Sequence, residues 1–586
     1  MAQPRHSLRR GSTRLNRYRV LQGALVALCV ASPFFGIPGW TVAVATISAL
    51  TAVALIGLDM IFGVAGMLAF GQAAFVALPG YTAGMLEKFG APVWIAIAAG
   101  VAGTVLLARL VAEFFVRLPG VYFALGTLGF AFVVEGLARA FPDWSGGASG
   151  LVFESGRNIG VEVWYAAAAL LLAAGIAFHV WLLRGGLART LSTVRHDELA
   201  AAVIGIDVAR AKARIFTIGG AYCAMAGICI AYYVGVVVPE SAGVNRSLEY
   251  VGTVLLGGLG TAYGPAVGTV LLQWLFVVAG YGKRYELLIY GVAFLGAVLY
   301  ARNGIVGLLA QPWRSLRLAL QPAEKTPHQP LLAGVGARID TAPPGLTGEC
   351  LRVSGISKYF GGVLALKDVS FSVDYGEIFT IVGPNGAGKT TLFNIISGIE
   401  PASEGAVAVD GRDLSHVPIH AHAPIIGRSF QVARLVPELT ALENVLSRLD
   451  QIAPELSESE KRSTAWAQLA AFELDALADR PAHTLSVGQH KLIDLARAAV
   501  GEPRLVLLDE PAVGLARGEL DHLRALLLQL RSHGRAVIVV EHNIDFVASV
   551  ADRGVVLDGG IMIARGPVAD ILADPNVREA YFGVLE

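Results

Sequence analysis

EIFTIVGPNGAGKTTLFNIISG, residues 377–398, opens as an apolar strand, turns through three glycines and continues as a helix. Gly383 to Thr390 matches G-x-x-x-x-G-K-[ST], with Pro384, Asn385, Gly386, Ala387 and Gly388 between the first glycine and Lys389. In such a loop successive backbone N–H groups converge on an anion. Lys389 then reaches the β and γ phosphate oxygens, and the Thr390 hydroxyl, followed by Thr391, suits Mg²⁺. The plain alternative is a Gly-rich strand-to-helix turn with no ligand. The strand before and the helix after favour the phosphate loop.

Working outward, four further stretches carry chemistry. RLVLLDEP (504–511) is a second apolar strand that ends in Asp509 and Glu510. The first suits Mg²⁺ and the second a base that polarises an attacking water. AVIVVEHNID (536–545) is a third strand with His542 at its end, placed to donate to charge developing on a γ-phosphate. RSFQ (428–431) ends in Gln431, and KYFGG (358–362) offers Phe360, with Tyr359 a weaker candidate, as a stacking ring. LSVGQHK (485–491) reads as a helix start capped by Ser486, a place where bare N–H groups favour an anion. Alone, each has an ordinary reading: a charged strand end, a surface histidine, a capped helix.

The order Phe360, GPNGAGKTT, Gln431, LSVGQ, LVLLDEP, EH resembles the nucleotide-binding domain of ATP-binding-cassette transporters across residues 350–586. The resemblance implies ATP and Mg²⁺ as ligands, adenine stacked on Phe360, and Mg²⁺ held by Thr390, Gln431 and Asp509. It implies Glu510 and His542 as the catalytic pair. It also implies that Ser486, Gly488 and Gln489 close over ATP bound to a second ATPase subunit, because two such domains stack head to tail. Val487 replaces a common glycine, and Ala516-Arg517 replaces a polar residue and proline. Both departures bear on the contact between opposed domains rather than on ATP binding.

The rest of the chain is of another kind. Over 586 residues, 54% are hydrophobic and 16% charged, and the mean hydropathy is +0.59. So little charge in so long a chain points to a membrane. Zero formal net charge offers nucleic acid no footprint. The four cysteines are scattered and read as buried thiols. Apolar runs predict about ten spans, near 18–36, 40–64, 68–87, 93–116, 121–141, 162–183, 216–237, 247–258, 264–280 and 285–302. The eighth ends in GGLGTAYGP and suggests a broken helix. Arginines before residue 20, the loop 184–214, and Arg302, Arg314 and Arg317 mark the cytoplasmic side; Lys283 and Arg284 are a mild exception. The expected organisation is a basic tail (1–17), a polytopic helical membrane domain (18–312), a proline-containing linker (313–349) and an α/β P-loop NTPase domain (350–586).

The membrane half resembles the permease of branched-chain amino-acid importers. The residues that carry this are ALIGLDMIFGVAGMLAFGQAAFVALPGYTAGML (54–86), LPGVYFALGTLGF (118–130) and LLGGLGTAYGPAVGTVLL (255–272) followed by LLIYG. RHDELAAAVIGIDVARAKARIF (195–216) resembles the permease segment seated on the ATPase, with Glu198, Ala200, Ala201 and Gly205 at matching places. From the residues alone it also reads as a basic amphipathic connector on the membrane. VLDGGIMIARGPVADILADPNVREAYFG (556–583) resembles the ATPase that accompanies this permease. The resemblance implies ATP-driven import of branched-chain or related amino acids across a bacterial inner membrane, with the ATPase in the cytoplasm. It further implies a second permease and second ATPase, unlike rather than identical, and an external substrate-binding protein. A half-exporter and an ATP-gated channel or sensor are the competing readings. Asp59 and Gln72 read as polar groups satisfied between helices, and His420-Ala421-His422 as a solvated loop.

Overall fold

The computed structural model describes residues 38–153, 155, 159–278 and 347–575, with positions 288, 291, 292, 295, 296, 304–307 and 577 besides. The basic tail, the span at 18–36, most of that at 285–302, Cys29, Lys283, Arg284, Arg302, Arg314, Arg317 and nearly all of the linker lie outside the described residues. The chain divides into two compact units. One comprises Met1–Arg184 with Ala209–Lys325, the other Gly185–Val208 with Thr326–Glu586.

In chain order the helices of the membrane half are α1 (Gly39–Asp59), α2 (Gln72–Lys88), α3 (Val93–Phe115), α4 (Gly120–Ala140) and α5 (Val161–Leu182). Next come α6 (Gly186–His196) and α7 (Glu198–Val203), which belong to the second unit, and then α8 (Val208–Val234), α9 (Val244–Gly257) and α10 (Gly264–Val278). A helix satisfies each N–H and C=O within its own segment, the condition for apolar runs of this length to cross a bilayer. Among the described residues five helices are long and apolar enough to do so: α1 with its π-helical extension to Val64, α3, α4, α5 and α8. Where the run 68–87 suggested a span, α2 begins only at Gln72 and is about 25 Å long. α1 is the most enclosed, packing on α5 and α10. A two-stranded ribbon pairs β1 (Leu151–Val152) with β2 (Val236–Val237).

The break after α9 has a physical cause. Gly258 and Gly260 have positive φ, and the freed Gly260 N–H donates to Asp59 Oδ1 at 2.7 Å. Asp59 is fully buried, and its carboxylate accepts a backbone donor that the interrupted helix no longer satisfies. Gln72 Oε1 lies 3.4 Å from Cys223 Sγ, both side chains buried.

The second unit is built on two sheets. β3 (Glu349–Phe360), β4 (Val363–Asp374), β6 (Glu404–Val409) and β7 (Arg412–Asp413) form an antiparallel sheet in the order β4-β3-β6-β7. The larger sheet uses β5 (Ile378–Val382), β8 (Ile426–Arg428), β9 (Leu505–Asp509), β10 (Ala536–Val540), β11 (Arg553–Asp558) and β12 (Ile561–Pro567). Its order is β12-β11-β5-β10-β9-β8, parallel except for β12 at the edge. IFTIV, LVLLD and AVIVV are buried at every position because helices cover one face of the sheet, and α11 with the antiparallel sheet covers the other. α11 (Lys389–Ile396) follows the phosphate-loop sequence. α12 (Ala441–Ile452), α13 (Glu458–Ala471) and α14 (Val487–Ala499) form a helical group, packed through Leu446, Leu449, Leu469 and Ile493. Each starts with a reciprocal capping box: Thr440 with Glu443, Ser457 with Glu460, Ser486 with Gln489. α15 (Arg517–Ser532), α16 (Ile544–Val550) and α17 (Val568–Ala573) complete the unit.

The His420-Ala421-His422 stretch departs from the solvated loop expected. His422 is 3% exposed, with Nε2 3.1 Å from Val417 O, and its ring fills the space against Gly398. A short 3-10 turn tucks it under the end of α11, which alternation of polar and small residues does not reveal.

Candidate functional site

Parallel pairing decides where the motifs meet. β10 lies between β5 and β9, with Val540 opposite both Ile381 and Asp509. The C-terminal ends of three neighbouring strands therefore carry Gly383 onward, Asp509-Glu510 and Glu541-His542 to one edge, the usual ligand edge of a parallel sheet.

The loop after β5 needs glycine at two places. Gly383 has φ +153° and a Cβ there would lie 2.2 Å from Leu557 O; Gly388 has φ +96° and a Cβ would lie 2.8 Å from Ala365 O. Neither clash involves a side-chain tip that could swing away, so only glycine threads this turn. Pro384 is half-buried, Asn385 and Gly386 are exposed and Ala387 is buried. Lys389 Nζ donates to Gly383 O at 2.7 Å and Pro384 O at 2.8 Å. Burial lowers its pKa, against the pull of Glu510 and Asp509. Thr390 is exposed and Thr391 half-buried on the first turn of α11.

Glu510 is the hub. It holds φ +46°, an unusual value outside glycine, with its N–H donating to Val540 O at 2.9 Å. Lys491 Nζ donates to its carbonyl at 2.8 Å. The left-handed backbone turns the carboxylate toward Gln431, whose Nε2 donates to Oε2 at 2.6 Å, and toward His542, whose Nε2 lies 2.9 Å from Oε1. Side chains from two other chain segments thus converge on one carboxylate. Beside it Asp509 is buried, and burial raises its pKa, with Arg428 opposing. Arg428 itself lies between the rings of Phe393 and Phe430, at 4.6 and 5.4 Å from their centroids.

Other candidates stand apart from this hub. Phe360 and Tyr359 are each 47% exposed at the end of β3, and Lys358 Nζ sits 4.9 Å over the Phe360 ring. The Ser486 and Gln489 side chains bond each other's backbone: Gln489 N–H donates to Ser486 Oγ at 3.2 Å, and Ser486 N–H to Gln489 Oε1 at 3.0 Å. Val487 is exposed, while Gly488 is buried against the Glu519 carboxylate.

The segment 185–208 touches the residues on either side of Gln431, Phe430 and Arg434. Asp197 caps α7 by accepting from Ala200 N–H at 2.9 Å, and its second oxygen takes Arg434 Nη1 at 2.6 Å. Ala200 and Val203 pack on Phe430, the neighbour of Gln431. Ala201 is fully buried and Glu198 is exposed in the first turn of α7. Gly205 has φ +106°, and a Cβ there would lie 3.0 Å from the Cβ atoms of Ala423 and Gln451.

Two groups were not singled out from sequence. Lys491 was hidden because its partner is a main-chain carbonyl. Glu541 looked like ordinary charge beside His542, yet it is fully buried and accepts from Ala512 N–H at 2.6 Å and His542 N–H at 3.2 Å. It ties the stretch after Glu510 to the stretch carrying His542. Burial raises its carboxyl pKa, partly offset by the backbone donors. The native state therefore binds this proton more tightly than the unfolded chain does. Its contribution to stability should fall as pH rises from the ordinary glutamate value to the raised one, then level off. Glu541→Gln should remove that slope in thermal melts above pH 4.5, and Glu541→Ala, which orphans the buried Ala512 N–H, should cost about 1–3 kcal/mol.

Comparison with known proteins follows this geometry. Residues 366–513 match the ABC transporter family, and residues 40–301 match the branched-chain amino acid transport system permease component. The chain is 36% identical over 248 residues to the high-affinity branched-chain amino acid transport ATP-binding protein of Pseudomonas aeruginosa, covering 40% of this chain and 97% of that one. It is 36% identical over 255 residues to a probable branched-chain amino acid transport ATP-binding protein of Methanocaldococcus jannaschii, covering 40% and 98%. It is also 33% identical over 234 residues to the lipopolysaccharide export system ATP-binding protein of Escherichia coli K12, covering 40% and 97%. A solved nucleotide-free ATP-binding cassette from an ABC transporter is 34% identical, with TM-score 0.37, covering 40% of this chain and 99% of that one. The chain belongs to the ABC transporters, and joins a permease of the branched-chain amino acid transport family to an ABC ATPase in one polypeptide.

Proposed function

We propose that this ATPase-permease imports branched-chain amino acids, or closely related small amino acids, across a bacterial inner membrane. The observation that carries the proposal is the path from membrane segment to hydrolytic carboxylate. Ala200 and Val203 touch Phe430, and the adjoining Gln431 holds Glu510. A displacement of segment 185–208 therefore alters the hold on Glu510, and the converse holds by reciprocity. Glu510 serves as base toward the attacking water, and His542 donates to charge growing on the γ-phosphate. Lys389 and the loop 383–391 hold the phosphates, with Phe360 beneath adenine.

Thr390, Gln431 and Asp509 offer oxygen donors only, the set a hard divalent cation takes. Gln431 engages Glu510 through its NH₂, which leaves its amide oxygen for such an ion. Burial also disfavours the ionised form of Asp509, a cost that a cation offsets. Mg²⁺, when bound, would neutralise phosphate charge. Ser486, Gly488 and Gln489 face the ATP of a second ATPase subunit, and freeing their mutual capping bonds is the rearrangement that contact requires. We favour an unlike second permease and ATPase, with an external binding protein delivering the solute. The domain limits we adopt are 18–312 for the permease, 313–349 for the linker and 350–586 for the ATPase.

The direction and solute are tested together in proteoliposomes holding the full assembly and its binding protein. ATP enclosed with the ATPase face should drive accumulation of labelled leucine against its gradient. Leucine flux that persists without ATP would favour a gated channel, and outward pumping alone would favour an exporter. A two-colour pull-down that recovers only self-pairs would overturn the unlike-subunit arrangement.

A further inference from the structure

Segment 185–208 is held by contacts of different character. At α7 Ala200 and Val203 pack against Phe430, beside the ion pair of Asp197 with Arg434. At α6 the contact is ionic, buried on its Asp450 side and open on its Glu458 side. The Arg189 guanidinium lies between Asp450 and Glu458, with Nε 2.8 Å from Asp450 Oδ2 and Nη2 3.0 Å from Asp450 Oδ1. On its other side Nη1 and Nη2 are each 2.9 Å from the two Glu458 oxygens. The Arg189 and Asp450 side chains are 7% and 6% exposed. Beside them Gln451 Nε2 donates to Thr190 Oγ1 at 3.1 Å.

The carboxylates explain why the cation is needed. Asp450 sits in the last turn of α12, the negative end of the helix dipole, where a buried carboxylate is disfavoured twice. Lys461, 3.6 Å away, covers Asp450 Oδ1 only at long range. Glu458 is at the favourable first turn of α13, capped by Ser457, and is half exposed. A planar fork with five donors bridges both carboxylates; a lysine ammonium cannot.

We propose that Arg189 is the positioning residue by which the ATPase recognises and grips the permease segment of its own chain, through a four-bond clamp on Asp450 and Glu458. Segment 185–208 then moves as part of the ATPase, while the α7 contact transmits the movement to Gln431. With unlike subunits in one assembly, this clamp assigns each permease to its fused ATPase. The surface fits one kind of partner: a short helix that presents a single arginine to two carboxylates.

The test uses the full chain in membranes, with Thr190→Cys and Gln451→Cys added and a protease site inserted between residues 330 and 331. Oxidation should form a disulfide within one chain, so that the uncleaved protein runs as a monomer on a non-reducing gel and after cleavage its two fragments still migrate together. Arg189→Glu should lower that yield about tenfold, because like charges then share a buried site. Adding Asp450→Arg to Arg189→Glu should bring it back to within about threefold of the parent, a recovery that a merely structural role does not predict. Should Arg189→Glu fail to accumulate, Arg189→Lys keeps the charge but loses the fork, and an expected threefold drop reads the same contact. Disulfides found only between chains, a yield in Arg189→Glu within twofold of the parent, an unchanged yield in Arg189→Lys, or no recovery in the charge swap would each overturn the proposal.

Discussion

Glu510→Gln should lower steady-state ATP turnover about 10²–10³-fold and leave ATP affinity within about threefold. The substitution keeps size and position. The backbone that aims the side chain is set by the φ of +46°, the N–H bond to Val540 and the Lys491 bond to the carbonyl, none of which involves the carboxylate. What changes is the chemistry at its tip. A carboxylate accepts from Gln431 and His542 at once, whereas an amide offers one oxygen and one NH₂. If the oxygen faces His542, the NH₂ meets the NH₂ of Gln431 and that contact turns repulsive. By the proposed mechanism the water also loses its base. His542→Ala should cost less, about tenfold, since it removes one donor and leaves the base in place. Single-turnover hydrolysis and nucleotide titration separate the two effects. A loss under tenfold in Glu510→Gln would place the base elsewhere.

The parts of this site that sequence reveals are those made of neighbouring residues. The strand, glycines and helix of 377–398 announce themselves, because a positive φ and a close approach to Leu557 and Ala365 admit little else. LVLLD and AVIVV read as buried strands for the same local reason. The convergence on Glu510 is not local. In the chain Gln431 precedes Glu510 by 79 positions, and β10 enters the sheet between β5 and the earlier β9. No spacing rule reports that insertion. The ion clamp is further hidden, since Arg189 and Asp450 are 261 positions apart and each looks like ordinary surface charge. Motif order suggested the hub and family resemblance supplied its roles; physical contact alone exposed Lys491, Glu541 and Arg189.

The membrane half shows the opposite imbalance. Hydropathy alone marks α1, α3, α4, α5 and α8, because apolar length is all that a bilayer demands. The pieces that protein encloses are shorter. α9 has 14 residues and α2 has 17, and the turn between α9 and α10 depends on a carboxylate two hundred positions away in α1. Asp59 looked costly in an apolar run. Bonded to Gly260, it becomes the acceptor that lets the chain break there.

Lys389→Ala should reduce ATP affinity by at least about 10²-fold and abolish measurable turnover. Two losses combine. The ammonium is 7% exposed and bridges Gly383 O and Pro384 O, so it braces the loop across its own mouth. Charged hydrogen bonds of this kind contribute about 1.5–3 kcal/mol each. In the proposed site the same ammonium faces the β and γ phosphates, and three phosphates brought to a loop of neutral N–H groups lack it in the variant. Lys389→Met loses the same ammonium but keeps the stem, so a difference between Met and Ala reads packing alone. Melting temperature reads the bracing and nucleotide titration the phosphate contact. Both variants should melt several degrees lower, and both should bind ATP about equally weakly. Binding within threefold of the parent in Lys389→Ala would take the phosphate contact away from this ammonium.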